Sequence, residues 1–226
     1  MFAGHLGAAL AIARAERRVN VGVFVAAALL LDFVLWLLVL LGWESVTIPA
    51  DFASTHQPQF VFPYSHGLLA ALVWSSLAAM AAWASLSRLQ SARWRAAALV
   101  AAAVFSHWLL DALVHRAELP LAGAASPVVG LDLWHSMPAA LGVEAAVVIA
   151  GLALFMPGSR QSRRRAFALA LLTVVVLVFT VAGMTVAPPP PSALAMAASS
   201  WVTLIVVSAL AGWLGRIERS RDEPVP

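Results

Sequence analysis

Arginine alone supplies the positive side-chain charge of this chain, and it does so in clusters that bracket long apolar runs. The clusters are Arg14/Arg17/Arg18, Arg88/Arg93/Arg95, Arg160/Arg163/Arg164/Arg165 and Arg216/Arg219/Arg221. Between them lie stretches 19–41, 64–87, 94–115, 138–156, 166–186 and 198–215, each reaching the roughly 18-residue length that reads as a membrane span. Only 11% of the residues are charged and 62% are hydrophobic, against roughly 25% charged in a soluble domain. This pattern predicts an all-α fold, a polytopic transmembrane bundle of six spans.

A shorter apolar segment, FAGHLGAALAIA at 2–13, precedes the spans and is too short to cross untilted. It is expected to be a helix reaching mid-membrane. The loops 42–63, 116–137 and 187–197 hold a single arginine, Arg116, so clusters and loops alternate without a violation. The positive-inside rule then places the clusters and the C-terminus in the cytoplasm and the other loops outside. Because the arginines set topology, the sequence pI of about 10.9 does not imply a nucleic-acid partner. The absence of cysteine excludes disulfides, thiolate metal sites and thiol nucleophiles. The first 13 residues carry no basic segment, so no signal peptide is expected. Asn20 is placed to cap its helix, Ser65 to cap the third helical segment, and Pro188–Pro191 to form a stiff turn. The whole of 1–226 reads as one integral membrane domain. Chemistry-bearing residues crowd into 1–145, while 146–226 reads as helical scaffold and tail.

Ionisable groups at depth cost about 2.5–3.5 kcal/mol per Asp and by default mark function. This chain keeps few: Asp32, Asp111 and Glu144, with His5, His66 and His107. No arginine lies in the interior of a span, so each carboxylate must be protonated, be wetted by a cavity, or face a cation that the chain does not supply. At 1.5 Å per residue, Asp32 lies roughly 21 Å in from Arg18, and His107 and His5 roughly 18 Å in from Arg95 and Arg17. His66 opens its helix at the opposite surface, with Glu144 less than two turns inside it. His107 and Asp111 are one turn apart on a single helix face. Imidazole with carboxylate suits zinc and other divalent metals such as manganese or iron. His115 and His135 read instead as interfacial anchors, and His56 as a solvated loop residue.

Five stretches occur in the order of motifs of a known group: FAGHLGAALA at 2–11, LLLD at 29–32, PYSHG at 63–67, SHWLLDALVHRAELPL at 106–121 and GLDLWHS at 130–136. Over residues 1–145 the chain resembles the bacterial membrane-bound metal-dependent hydrolases, a family also described as LexA-binding and inner-membrane-associated. The resemblance implies an inner-membrane location and metal-ligand roles for His5, Asp32, His66, His107 and Asp111. That family carries two acids in its second motif; here Asp32 is followed by Phe33 and Val34, and one metal is expected.

Together these readings predict one divalent metal, zinc by preference, in a cavity open to the outside. Its bound water would attack an ester, phosphoester or amide, with Asp32 or Glu144 as general base. Membrane lipid surrounds the chain, and a lipid-like or small molecule is the expected substrate. A proton-coupled carrier built on the same His/Asp cluster, a haem protein with axial histidines, and a non-catalytic subunit of a membrane assembly stay open as alternatives. For the topology, a cysteine introduced at Ala53 should react with an impermeant thiol reagent from outside intact cells, and one at Gln161 should not. The reverse labelling pattern overturns both the topology and the depth counting.

Overall fold

The computed structural model describes residues 1–216, so Arg219 and Arg221 of the last cluster lie outside the described residues. Five apolar helices are long enough to cross a membrane: α5 (Leu68–Ser85), α6 (Arg93–Val114), α7 (Met137–Phe155), α8 (Arg163–Thr185) and α9 (Ala193–Leu214). The first span is a bent pair, α2 (Val21–Ala28) and α3 (Leu30–Leu40), meeting at 48° about Leu29. The short helix α1 (Phe2–Ala13) completes the bundle.

The bend was not legible as glycine or proline, because the sequence around it reads AAALLLDF. Its cause is a side chain in the helical ladder. The His107 Nδ1 lies 2.6 Å from the carbonyl oxygen of Ala28, the last residue of α2, and donates to it. A ring inserted there ends one helix and starts another. Asp32 thereby falls in the first turn of α3, where the positive end of the helix dipole favours a carboxylate.

Helix α1 is buried nearly all round, packed against α2, α6, α7 and α8. An apolar helix made chiefly of Ala, Gly and Leu suits that position, since it offers little bulk and no polar face. Its crossing with α7 is a backbone contact. A Cβ on Gly7 would stand 2.6 Å from the Val147 carbonyl oxygen, and one on Gly151 would overlap Gly7. The outward faces of α8 and α9 expose Phe167, Val175, Val178 and Val202, as lipid contact requires.

The arginine clusters gather at one end of the bundle and close helix ends there. Arg17 Nη2 donates to the Pro157 carbonyl at 2.7 Å, and Arg95 Nη2 to that of Ala15 at 2.6 Å. The opposite end is not plain loop. Strands β1 (Ser45–Thr47) and β2 (Gln59–Val61) pair antiparallel around the short helix α4 (Phe52–Thr55), and β3 (Leu119–Pro120) pairs with β4 (Val128–Val129). Asn20 caps α2 as expected, accepting from Gly22 N at 2.8 Å. Ser65 does not cap α5. Gly67 occupies the cap position, and the Ser65 hydroxyl is turned toward the buried carboxylate of Glu44 at 2.7 Å. A charged acceptor in a low-dielectric interior outcompetes a helix-end amide for that donor.

Two glycines of α7 give a test of the α1–α7 contact. An added Cβ at Gly142 meets nothing within 4 Å, unlike one at Gly151. Gly142→Ala should stabilise the helix by about 0.5–1 kcal/mol. Gly151→Ala should destabilise by about 1–3 kcal/mol, because backbone must move. Thermal unfolding in detergent reads the opposite signs.

Candidate metal centre

The structure brings the five candidate ligands into one cluster around Asp111. That carboxylate sits on α6, is 2% exposed, and is reached from both sides. His107 Nε2 lies 3.1 Å and His66 Nε2 3.4 Å from Oδ2, while His5 Nε2 lies 3.3 Å from Oδ1. The two imidazole nitrogens of His66 and His107 are themselves 3.1 Å apart. Asp32 Oδ1 stands 3.7 Å from each of them. The ring of His5 stacks on that of His107, with centroids 3.7 Å apart and planes at 8°. Two sets of three residues could each hold a metal ion, His66/His107/Asp111 and His5/Asp32/His107.

The protonation of the two facing imidazoles follows from what lies behind them. The Ala28 carbonyl can only accept, so His107 carries a proton on Nδ1, and as a neutral ring it turns a bare Nε2 into the cluster. Behind His66, Ser65 Oγ donates to Glu44 Oε2 at 2.7 Å and accepts from His66 Nδ1 at 2.8 Å. Glu44 is also held by the backbone N–H groups of Tyr64 and Ser65 at 2.8 and 2.9 Å. Burial pushes the Glu44 carboxyl up from its ordinary range, and these three donors pull it part of the way back. With Glu44 ionised, His66 also presents a bare Nε2. With both rings neutral, two nitrogen lone pairs face each other at 3.1 Å beside a carboxylate. Such an arrangement needs a cation, a metal or a shared proton, between them.

Several residues lie elsewhere than sequence counting placed them. Counting side chains left Asp111 with no basic partner in the chain; the amino nitrogen of Met1 is one, 3.1 Å from Oδ1 and buried. It takes the oxygen turned away from the imidazole pair, so the facing lone pairs keep their need. Glu144 lies outside both ligand sets and accepts from the Gly4 N–H at 3.0 Å, tying the start of α1 to α7. His115, read from sequence as an interfacial anchor, is buried; its Nδ1 is 2.7 Å from Glu118 and its Nε2 3.9 Å from Asp111 Oδ2. His56, expected in solvent, is 8% exposed. Glu44 and Glu118 escaped notice because each lies in a loop beyond its span, where an acid carries no signal of depth.

A cavity of about 330 Å³ opens beside the cluster. Asp32, His66 and Asp111 form part of its wall, with Trp36 and Phe62 near them. The far wall comes from α8 and α9, through Phe179, Thr180, Met196 and Ser200 among others. These helices add no ligand to the cluster, but they are more than the scaffold the sequence suggested.

No family model, curated protein or solved structure matched the chain, so the site is interpreted from its own geometry. That geometry assigns the ring protons, which nitrogen-detected NMR of the histidines in nanodiscs can read. His66 and His107 should both report the Nδ1–H tautomer. Ser65→Ala should shift His66 toward a tautomer mixture and leave His107 unchanged. An unchanged His66 would mean that the Glu44–Ser65 pair does not orient it.

Proposed function

We propose that the cluster holds one divalent metal ion, zinc by its ligand chemistry, and that the protein is a membrane-embedded hydrolase of an ester, phosphoester or amide bond. The observation that carries this reading is the triangle of His66 Nε2, His107 Nε2 and Asp111 Oδ2, with edges of 3.1, 3.1 and 3.4 Å. Ligands about 2.0–2.1 Å from zinc at tetrahedral angles stand roughly 3.3 Å from one another. The donors are thus at coordination spacing, and two of them are bare nitrogens with no hydrogen-bonding use for each other. Three protein ligands with one position open is the catalytic form of a zinc site. His5 supports the same reading, for its Nδ1 is buried without a partner among the described residues.

Bound there, the ion supplies Lewis acidity and an activated water. The chain supplies the rest. His66 is fixed by Ser65 and Glu44, and His107 by the Ala28 carbonyl, an outer layer of hydrogen bonds of the kind that keeps metal ligands aimed. His5 and the Met1 amino group hold the other oxygen of Asp111, so that Oδ2 faces the imidazoles. Asp32 Oδ1, 3.7 Å from both imidazole nitrogens and in the cavity wall, would take the proton of an attacking water. Glu144, which caps α1, is the weaker candidate for that role. The reading accords with the bacterial membrane-bound metal-dependent hydrolases that the motifs resemble, and with an inner-membrane protein whose arginine clusters and C-terminus face the cytoplasm. A proton shared between His66 and His107 is the second way to satisfy the facing nitrogens, and it would make the cluster a relay in a proton-coupled carrier.

Metal analysis separates the two. Protein purified in detergent should carry about one zinc per chain. His107→Ala and Asp111→Ala should each remove most of it, and the double variant should be little worse than either, since members of one coordination shell act as a unit. Protein folded and free of metal after zinc supplementation would leave the carrier reading.

A further inference from the structure

The cluster's cavity does not stand alone. A second cavity, of about 570 Å³, lies at the end of the bundle away from the arginine clusters and shares His56, Trp134, Met137 and Met184 with the first. The two differ in character. The inner one is walled largely by aromatic, Leu and Met side chains, and the outer one by Arg116, Asp132, His56, His135, Gln57 and Thr55. The cluster lies next to their junction. Trp134, common to both, packs its ring 4.0 Å from that of His115, whose Nε2 is 3.9 Å from Asp111 Oδ2.

Arg116 is the one arginine of the loops at this end, and the other arginines of the described residues fall in the clusters at the opposite end. Among the described residues no carboxylate lies within 4.0 Å of its guanidinium, and its hydrogen bond to Gln57 Oε1 is long, at 3.3 Å. The nearest acid in sequence, Glu118, is turned to His115 instead, at 2.7 Å. A planar fork of donors left without an acid partner is suited to phosphate. The backbone around this cavity is strained as well. Of the three non-glycine residues with positive φ among the described residues, His56 and Asp132 (each at φ 53°) both belong to it. Such conformations persist where the surrounding structure holds them, and they gather at ligand sites. Asp132 faces the same space and opposes a multiply charged anion, whereas a phosphodiester carries a single charge.

We infer that the two cavities together bind a phosphodiester amphiphile, its headgroup phosphate on Arg116 in the outer cavity and one acyl chain in the inner cavity between α3, α8 and α9. This extends the hydrolase reading by naming its substrate class, and it places the linkage between head and chain at the junction beside the cluster. The binding itself requires no metal.

The test is equilibrium binding to the full chain in maltoside micelles, treated with EDTA so that no turnover occurs. The probes are a palmitoyl lysophosphatidylglycerol, a palmitoyl monoacylglycerol and inorganic phosphate. The lysophospholipid should bind, and Arg116→Gln should weaken it by about tenfold or more, which is the loss of about 1.4 kcal/mol. The monoacylglycerol should be unaffected by that change, Arg116→Lys should restore part of the lost affinity, and Arg88→Gln should have no effect. Gly183→Leu, at a position in the inner wall where an added Cβ meets nothing within 4 Å, should weaken both acyl probes. Asp132→Asn should strengthen the lysophospholipid, which keeps the proposal testable if Arg116 variants do not fold. Lysophospholipid affinity indifferent to both Arg116 and Asp132, or inorganic phosphate binding as tightly as the lysophospholipid, overturns the proposal. Arg116-dependent binding in a protein that never takes up zinc would keep this site and remove the hydrolase reading; zinc uptake without such binding would do the converse.

Discussion

A carboxylate and imidazoles buried together in a helical bundle need hydrogen-bond donors or a cation among them, and the cluster around Asp111 organises this structure by that demand. Four histidines and an amino group approach its two oxygens within 3.9 Å, and they come from α1, α6, the end of α6 and the turn before α5. Each approach fixes an element. α1 must enter the middle of the bundle to deliver His5, and so must be thin, which its glycines and alanines allow. The turn 63–67 must fold inward to deliver His66, and Glu44 with Ser65 holds it there.

The break in the first span belongs to the same arrangement. His107 uses one ring nitrogen on the Ala28 carbonyl and turns the other to the cluster. The bend is therefore the structural counterpart of a chosen tautomer. It also creates the helix start on which Asp32 sits, so one hydrogen bond orients a candidate ligand and presents a carboxylate to the cavity. Close packing of α1 on α7 through Gly7 and Gly151, and of α2 on α9 through Gly22, keeps these helices near enough for the contacts to form. In lipid, where apolar surface gains little by association, such backbone proximity and polar contact hold helices together.

Apolar length and arginine position are properties of local sequence, and they determined the helical class, the number of long apolar segments, the short first helix and the Asn20 cap. Depth along a helix is also local, since each residue advances it by a fixed rise. That is why His5, Asp32, His66, His107 and Asp111 could be grouped before any packing was known. Which of them touch, and through which nitrogen, depends on the rotation and crossing of helices distant in sequence, and only the tertiary structure decided it. The bend at Leu29 has no local cause, because its agent is a ring 79 residues beyond the Ala28 carbonyl that it meets. Ser65 had two possible partners, a helix amide and an acid 21 residues earlier, and the fold chose the acid. Glu44, His56 and His115 carry no sign of burial in sequence, as loop residues are buried only by what folds over them. The cavity wall supplied by α8 and α9 was hidden for the same reason: an apolar residue facing lipid and one facing a cavity read alike until neighbouring helices are in place.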